Sequence, residues 1–364
     1  MNGQKVSPFQ TAVLFYVFLT GATVIYIPGP LIGIAGTGAW ISLLLSGAIG
    51  FLMLMMLFYL NRRFPDLDYI DYSRALIGNI LTMLFGLAAI SYILPLQASI
   101  VEGAGLFMVS AMMRETPIYL FSSLIFVIAA CTARAGIEVI ARMFVLLMLI
   151  TTFFLFIVLV FALPEYQPEQ LLPIAPKGLR PLAYGAYFTF GIPFAEVSMF
   201  GMLLPFVAGD KLKTKLHRSL SIALAASILT LCAMTICVLM VFGTTAAFNP
   251  FVLYSVARLI EFQEIIQRIE SVIGMSLILG SYMKATISLY LLSLYMAKLF
   301  RLKDNNTLIM PLALCAFLLG LVTYDSNTQW NHFFMKFFPL WIGMVIVTPL
   351  VIVTAVAMLR PAKR

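Results

Sequence analysis

Three ionisable residues stand inside stretches otherwise apolar enough for lipid: Glu102, Glu196 and Lys284. A charge at the bilayer centre costs about 2.5 to 3.5 kcal/mol on insertion scales, so each must turn toward the protein interior or toward water. Lys284 is the deepest, sixteen residues from Arg268 and seventeen from Arg301. At helical spacing Gly274, Leu277, Ser281, Lys284 and Ser288 share one face, with Glu270 at the outer end, which sets the ammonium among small polar neighbours. Two roles stay open for it: a structural pair with Glu102 or Glu196, or a fixed cation where an inverted-repeat transporter would hold sodium, which argues against sodium coupling.

A second chemistry comes from backbone. In Tyr187-Phe188-Thr189-Phe190-Gly191-Ile192-Pro193-Phe194-Ala195-Glu196, Gly and Pro two apart break the hydrogen-bond ladder. Freed N–H and C=O groups each cost several kcal/mol in lipid, so the break belongs where it lines a cavity or binds something; a simple kink is the competing reading. Glu196, just past the break, is placed to bond freed backbone or to gate the inner side. Tyr92, Pro95, Ser99 and Glu102 recur at steps of three or four and continue through Gly103 and Gly105, which makes that face either a polar path or a close-packing surface.

The elements that must position these residues are membrane helices. The chain of 364 residues is 62% hydrophobic and 10% charged, with mean hydropathy +1.03, far outside the soluble range. The N-terminus lacks the pattern of a cleavable signal, so the first helix is expected to stay. Cys131, Cys232, Cys237 and Cys315 lie in or at the ends of apolar runs without metal-ligand spacing and read as small buried hydrophobes. His217 and His332 fall in loops, and no nucleophile or phosphate-binding motif occurs, so neither an enzyme nor a metal or cofactor site is expected. The net charge of +8 resides in short loops, which reads as an orientation signal and not as nucleic-acid binding.

Ten spans are predicted, at 9 to 35, 39 to 60, 80 to 113, 118 to 133, 143 to 163, 180 to 206, 216 to 242, 269 to 300, 308 to 323 and 337 to 359. Sixteen of the 23 Lys and Arg then share the side of the N-terminus and six the other, which puts both termini in the cytoplasm. Spans one and six carry Gly/Pro interruptions, three and eight are long, and four and nine are short. That offset of five makes the chain an all-α membrane protein with a 5+5 inverted repeat: one polytopic domain over 1–363, with repeats 9–163 and 180–359.

The partner break in span one is Gly21-Ala22-Thr23 or Pro28-Gly29-Pro30, and the deeper first choice is preferred. An amino acid suits such a pair of breaks: N–H groups at Gly21 to Thr23 attract its carboxylate, and carbonyls at Phe190 to Ile192 take its ammonium. Phe188, Phe190, Phe194 and Tyr26 would bound the side-chain pocket. After span seven, Asn249-Pro250 opens an amphipathic helix running to about Ile266, with Arg258, Glu261 and Glu264 on its wet side, as a vestibule lid or an ordinary surface helix.

Gly21-Ala22-Thr23 with Ile27-Pro28, Gly136-Ile137-Glu138-Val139-Ile140-Ala141-Arg142, Leu171-Leu172-Pro173-Ile174, Arg268-Ile269-Glu270-Ser271 and Lys284 together resemble the B subunits of spore germinant receptors, a branch of the amino acid, polyamine and organocation transporter superfamily. The resemblance covers nearly the whole chain. It implies a leucine-transporter-like fold with helices 1 and 6 broken, in the inner membrane of a bacterial spore. It also implies a complex with an A subunit and a lipoprotein C subunit, and a small germinant, often an L-amino acid. By position, Gly21, Ala22, Thr23, Ser99, Glu102, Phe190, Gly191, Ile192 and Lys284 would bind it, with Tyr92, Glu196, Ser281 and Ser288 gating or structural. Thr23 departs from the family's second glycine, and its Cβ and hydroxyl narrow or repolarise that turn. Fold alone does not separate a receptor from a proton-coupled or uncoupled amino acid permease.

Overall fold

The computed structural model describes residues 5–65, 67–176, 178–207, 210–260, 269–323 and 327–360. Helix is the regular secondary structure of those residues, with no strand among them. A segment in lipid must satisfy its own backbone, and a helix does so without a partner.

In chain order the helices are α1 Pro8–Thr20, α2 Thr23–Tyr26, α3 Pro28–Ala35, α4 Ala39–Arg63, α5 Tyr69–Ile77, α6 Asn79–Phe107, α7 Ile118–Arg134, α8 Ile137–Phe161, α9 Leu179–Gly191, α10 Asp210–Phe242, α11 Val252–Leu259, α12 Ile269–Leu299, α13 Asn306–Thr323, α14 Asn327–Ile342 and α15 Thr348–Leu359. A run of 3-10 helix, Phe194–Met202, follows α9. Eight helical stretches among the described residues are long and apolar enough to cross a membrane. The expected short span at 118 to 133 is the 17-residue α7, whereas those at 9 to 35 and 180 to 206 are divided, the first among α1, α2 and α3 and the second between α9 and the 3-10 run.

Boundaries follow local signals. Ser7 caps α1 in a reciprocal box with Gln10, whose backbone N–H donates to the Ser7 hydroxyl while its side-chain oxygen accepts from the Ser7 N–H. Asp68 caps α5 by accepting from the backbone N–H of Ile70 and Asp71 at 3.0 Å each. Gly136 takes φ +91, a left-handed conformation that favours glycine, and so α8 starts at Ile137, six residues before the expected 143. The expected helix from Asn249 to Ile266 is described as far as Leu259, as α11; Glu261 and Glu264 lie outside the described residues.

α1 sits inside the bundle against α8, α10 and α12, while α6 packs against α7, α12 and α13. α4 lies along α9, with the Ser46 and Thr189 hydroxyls 2.7 Å apart. At the end where α12 finishes, Lys298 reaches Asp68 at 2.6 Å and Asp71 at 2.8 Å, and Arg74 donates to the Lys298 and Leu299 carbonyls at 2.9 and 2.7 Å. This ties α5 to α12. Burial alone would raise the Asp71 carboxyl, but hydrogen bonds from Lys298 and the charges of Lys298 and Arg74 outweigh it and hold Asp71 below the usual carboxylate range.

Candidate functional site

Both breaks occur where the residue types put them. α1 stops at Thr20, Gly21 and Ala22 form a turn, and α2 resumes at Thr23 for a single turn before Pro28 opens α3. Pro28 and Pro30 therefore sit inside a helix start, where a missing N–H is harmless. α9 stops at Gly191, Ile192 is extended at φ −145 and ψ 117, and the chain restarts as 3-10 helix at Phe194. Glu196 falls in the first turn of that restart.

Lys284 joins the two breaks. Its Nζ lies 2.7 Å from Glu196 Oε2 and 3.4 Å from Thr23 Oγ1, and 5.3 Å from the centroid of the Phe18 ring. The side chains of the pair are 3% and 0% exposed, so neither charge has water to fall back on. Of the partners left open by the sequence, Glu196 is the one that Lys284 meets. A pair so dry offers modest net stability, but loss of either member leaves an uncompensated buried charge.

Beside the pair is a cavity of about 30 Å³ lined by Ala22, Thr23, Tyr26, Ile27, Pro30, Ile100, Phe188, Ile192, Lys284 and Met335. It would take water, yet it is far below the roughly 300 to 1,000 Å³ of small-molecule sites. Apart from Lys284 its wall has no charged residue. On α6, α12 and the restart after α9, several buried polar atoms have no hydrogen-bond partner among the described residues: Glu196 Oε1, the hydroxyls of Tyr92, Ser281 and Ser288, and both polar atoms of the Gln97 side chain. Buried polar groups are normally satisfied by protein or by ordered water.

The sequence-expected residues divide by location. Ala22, Thr23, Ile192 and Lys284 line the cavity. Gly21 instead faces α12: a Cβ at Gly280 would stand 2.6 Å from the Gly21 carbonyl carbon and 2.7 Å from its oxygen, so the two backbones touch. Gly191 faces α14, where a Cβ would meet Pro339 Cα at 2.5 Å. Phe190 is half-buried and Ser99 donates to the Leu96 carbonyl at 2.8 Å; neither is on the cavity wall. Glu102 is turned away, toward Gly320 of α13. Tyr92 stacks edgewise on Phe338, with centroids 5.2 Å apart. His217 bonds Asn61 at 3.2 Å and stacks on Phe58, a structural use. No cluster of metal-ligating side chains occurs among the described residues.

Sequence reasoning missed Phe18, Gln97, Ile100, Gly280 and Met335. Gln97 carried a signal, being a polar amide in an apolar run; the others are ordinary membrane-helix residues whose position only packing reveals.

The family-quoted stretches also have structural jobs. Glu138 accepts from the Lys5 backbone N–H at 2.6 Å and lies 3.5 Å from Arg142, while Pro173 accepts from the Thr37 hydroxyl at 2.7 Å.

Comparison with known proteins bears on the family and the fold. The sequence profile of the spore permease family, described as spore germination protein, matches residues 5–329. Spore germination protein KB of Bacillus subtilis (strain 168) is 26% identical over 348 residues, 94% of this chain and 92% of that protein. Among solved structures, a substrate-bound, outward-open Na+-coupled sialic acid symporter is similar with TM-score 0.73 and 13% identity, over 98% of this chain and 79% of that one. MhsT in complex with L-phenylalanine is similar with TM-score 0.72 and 13% identity, over 99% and 90%. At such identities the likeness speaks to fold alone, a leucine-transporter-like arrangement of helices.

Proposed function

The chain belongs to the spore germination protein family, and on that premise we propose that it is the nutrient-sensing subunit of a germinant receptor, binding a small zwitterion, an L-amino acid, between its two broken helices. The observation that carries this reading is the buried Lys284–Glu196 pair, which spans both breaks at the edge of the cavity. A zwitterion carries the same two charges in one small molecule. Its carboxylate would take Lys284 with the Thr23 hydroxyl, and its ammonium would take Glu196 with carbonyls near Ile192, so each charge exchanges one partner for another. The wall of Ile27, Ile100, Phe188, Ile192 and Met335 suits an uncharged side chain.

The cavity is too small to admit such a ligand unless the broken segments part from α6 and α12. Binding then selects a more open packing, and the energy available to a signal is the ligand's difference in affinity between the two packings. In this reading ten spans form two inverted halves, 9–163 and 180–359, with both termini cytoplasmic, in the inner membrane of a spore beside A and lipoprotein C subunits that read the change.

A permease, proton-coupled or uncoupled, is the second reading, and likeness to transporter structures favours it. Binding and uptake of a panel of radiolabelled L-amino acids, by purified protein and then in sealed proteoliposomes, separates the two. Saturable binding without accumulation supports the receptor. Gradient-driven accumulation supports the permease, and absence of binding to the chain reconstituted with its A and C partners overturns both.

A further inference from the structure

We infer that Glu102 is a proton-binding site of its own, closed within the seam of α6, α7 and α13 and separate from the Lys284–Glu196 cavity. The side chain is 0% exposed, and neither carboxyl oxygen has a hydrogen-bond partner among the described residues. The Ser122 hydroxyl of α7 stands beside it, equally buried, without meeting hydrogen-bond geometry. On the third side the backbone of α13 presses against the carboxyl group. A Cβ at Gly320 would lie 2.6 Å from Glu102 Cγ and 2.9 Å from Oε1, so only glycine leaves the acid its room.

Among the described residues no cation is recorded against this site. The titratable side chains of α7 are Tyr119, Cys131 and Arg134 and the one on α13 is Cys315; all four are exposed. On α12, which also packs on α6, Lys284 is spent on Glu196. An ionised carboxylate with no cation and at most one hydroxyl beside it is among the costliest groups a membrane interior can hold. A carboxylic acid is neutral and has one O–H to offer a neighbouring hydroxyl. In this packing Glu102 therefore keeps its proton, and the proton leaves when α7 or α13 moves off α6 and water enters. Ile100, two residues earlier on α6, lines the cavity, so one helix carries both sites on different sides.

Infrared spectroscopy of the purified full-length protein in lipid tests this. The wild type at neutral pH should show the carbonyl stretch of a protonated carboxylic acid, slow to shift in D2O. That band should be lost in Glu102→Gln and kept in Glu196→Gln. Ser122→Ala, which retains the carboxyl group, should shift the band and serves if Glu102→Gln fails to fold. A wild type without the band, a band that survives in Glu102→Gln, or one indifferent to Ser122→Ala would overturn the assignment.

Discussion

Removing one member of the Lys284–Glu196 pair should cost more than removing both. In Lys284→Met the Glu196 carboxylate, 0% exposed, loses the ammonium 2.7 Å away and retains only the longer-range support of its surroundings. Breaking a buried pair from one side typically costs about 3 to 5 kcal/mol, whereas replacing both partners by neutral groups is often close to neutral. Against a total stability of roughly 5 to 15 kcal/mol, a loss of 3 already shifts the folded ratio about a hundredfold. Unfolding in mixed detergent micelles, followed through the three tryptophans, would measure Lys284→Met, Glu196→Gln and the double variant. Each single variant should lose about 3 to 5 kcal/mol, with the double variant recovering most of it. Single variants as stable as wild type, or a double variant showing the sum of the two losses, would refute the reading of Lys284 and Glu196 as a desolvated pair in which each charge depends on the other. In the same preparations, amino acid binding should be lost in all three, since stability restored without charge does not restore the ligand's partners.

Gly280→Ala puts a methyl into the Gly21 backbone at 2.6 to 2.7 Å, and backbone has no rotamer to yield; overpacking of this kind costs about 1 to 3 kcal/mol, and thermal unfolding of the variant should show it, while Gly36→Ala, with open space around its Cβ though a left-handed backbone, provides the comparison for strain without a clash. Asp71 is held below its ordinary pKa, so its contribution is present above the unfolded carboxylate value of about 3.9 and fades as pH falls through the lower folded value. Acidification through that window should speed hydrogen exchange in α5, beyond the intrinsic pH effect, and Lys298→Met should remove the pH-dependent part; an α5 equally protected across the window would contradict the network.

Much of this was legible because lipid penalises the same features that chemistry needs. Gly191 and Pro193 announce a break, and Lys284 announces a buried cation, from sequence alone. Which carboxylate meets it was not legible, because the choice depends on how α9 and α12 lie together. The Glu102 expectation shows the limit of spacing arguments. Steps of three, four and three residues from Tyr92 turn about 1,000°, which leaves Glu102 about 80° from Tyr92 around an ideal helix. That drift is enough to carry the side chain to the α13 side. The Gly21 and Gly191 breaks suit either a ligand turn or a simple kink; the structure adds that both glycines lie close against neighbours, Gly280 and Pro339, which sequence alone does not reveal.

The Gly21–Gly280 contact also bears on how the bundle can move. Where helices mesh by side chains, one must climb out of the other's grooves, and motion proceeds by jumps between registers. Here bare backbone rests on bare backbone, with nothing interlocked to disengage. Such a contact offers no groove to climb out of, and Lys284, one helical turn further along α12, ties the same segment through the Thr23 hydroxyl at 3.4 Å.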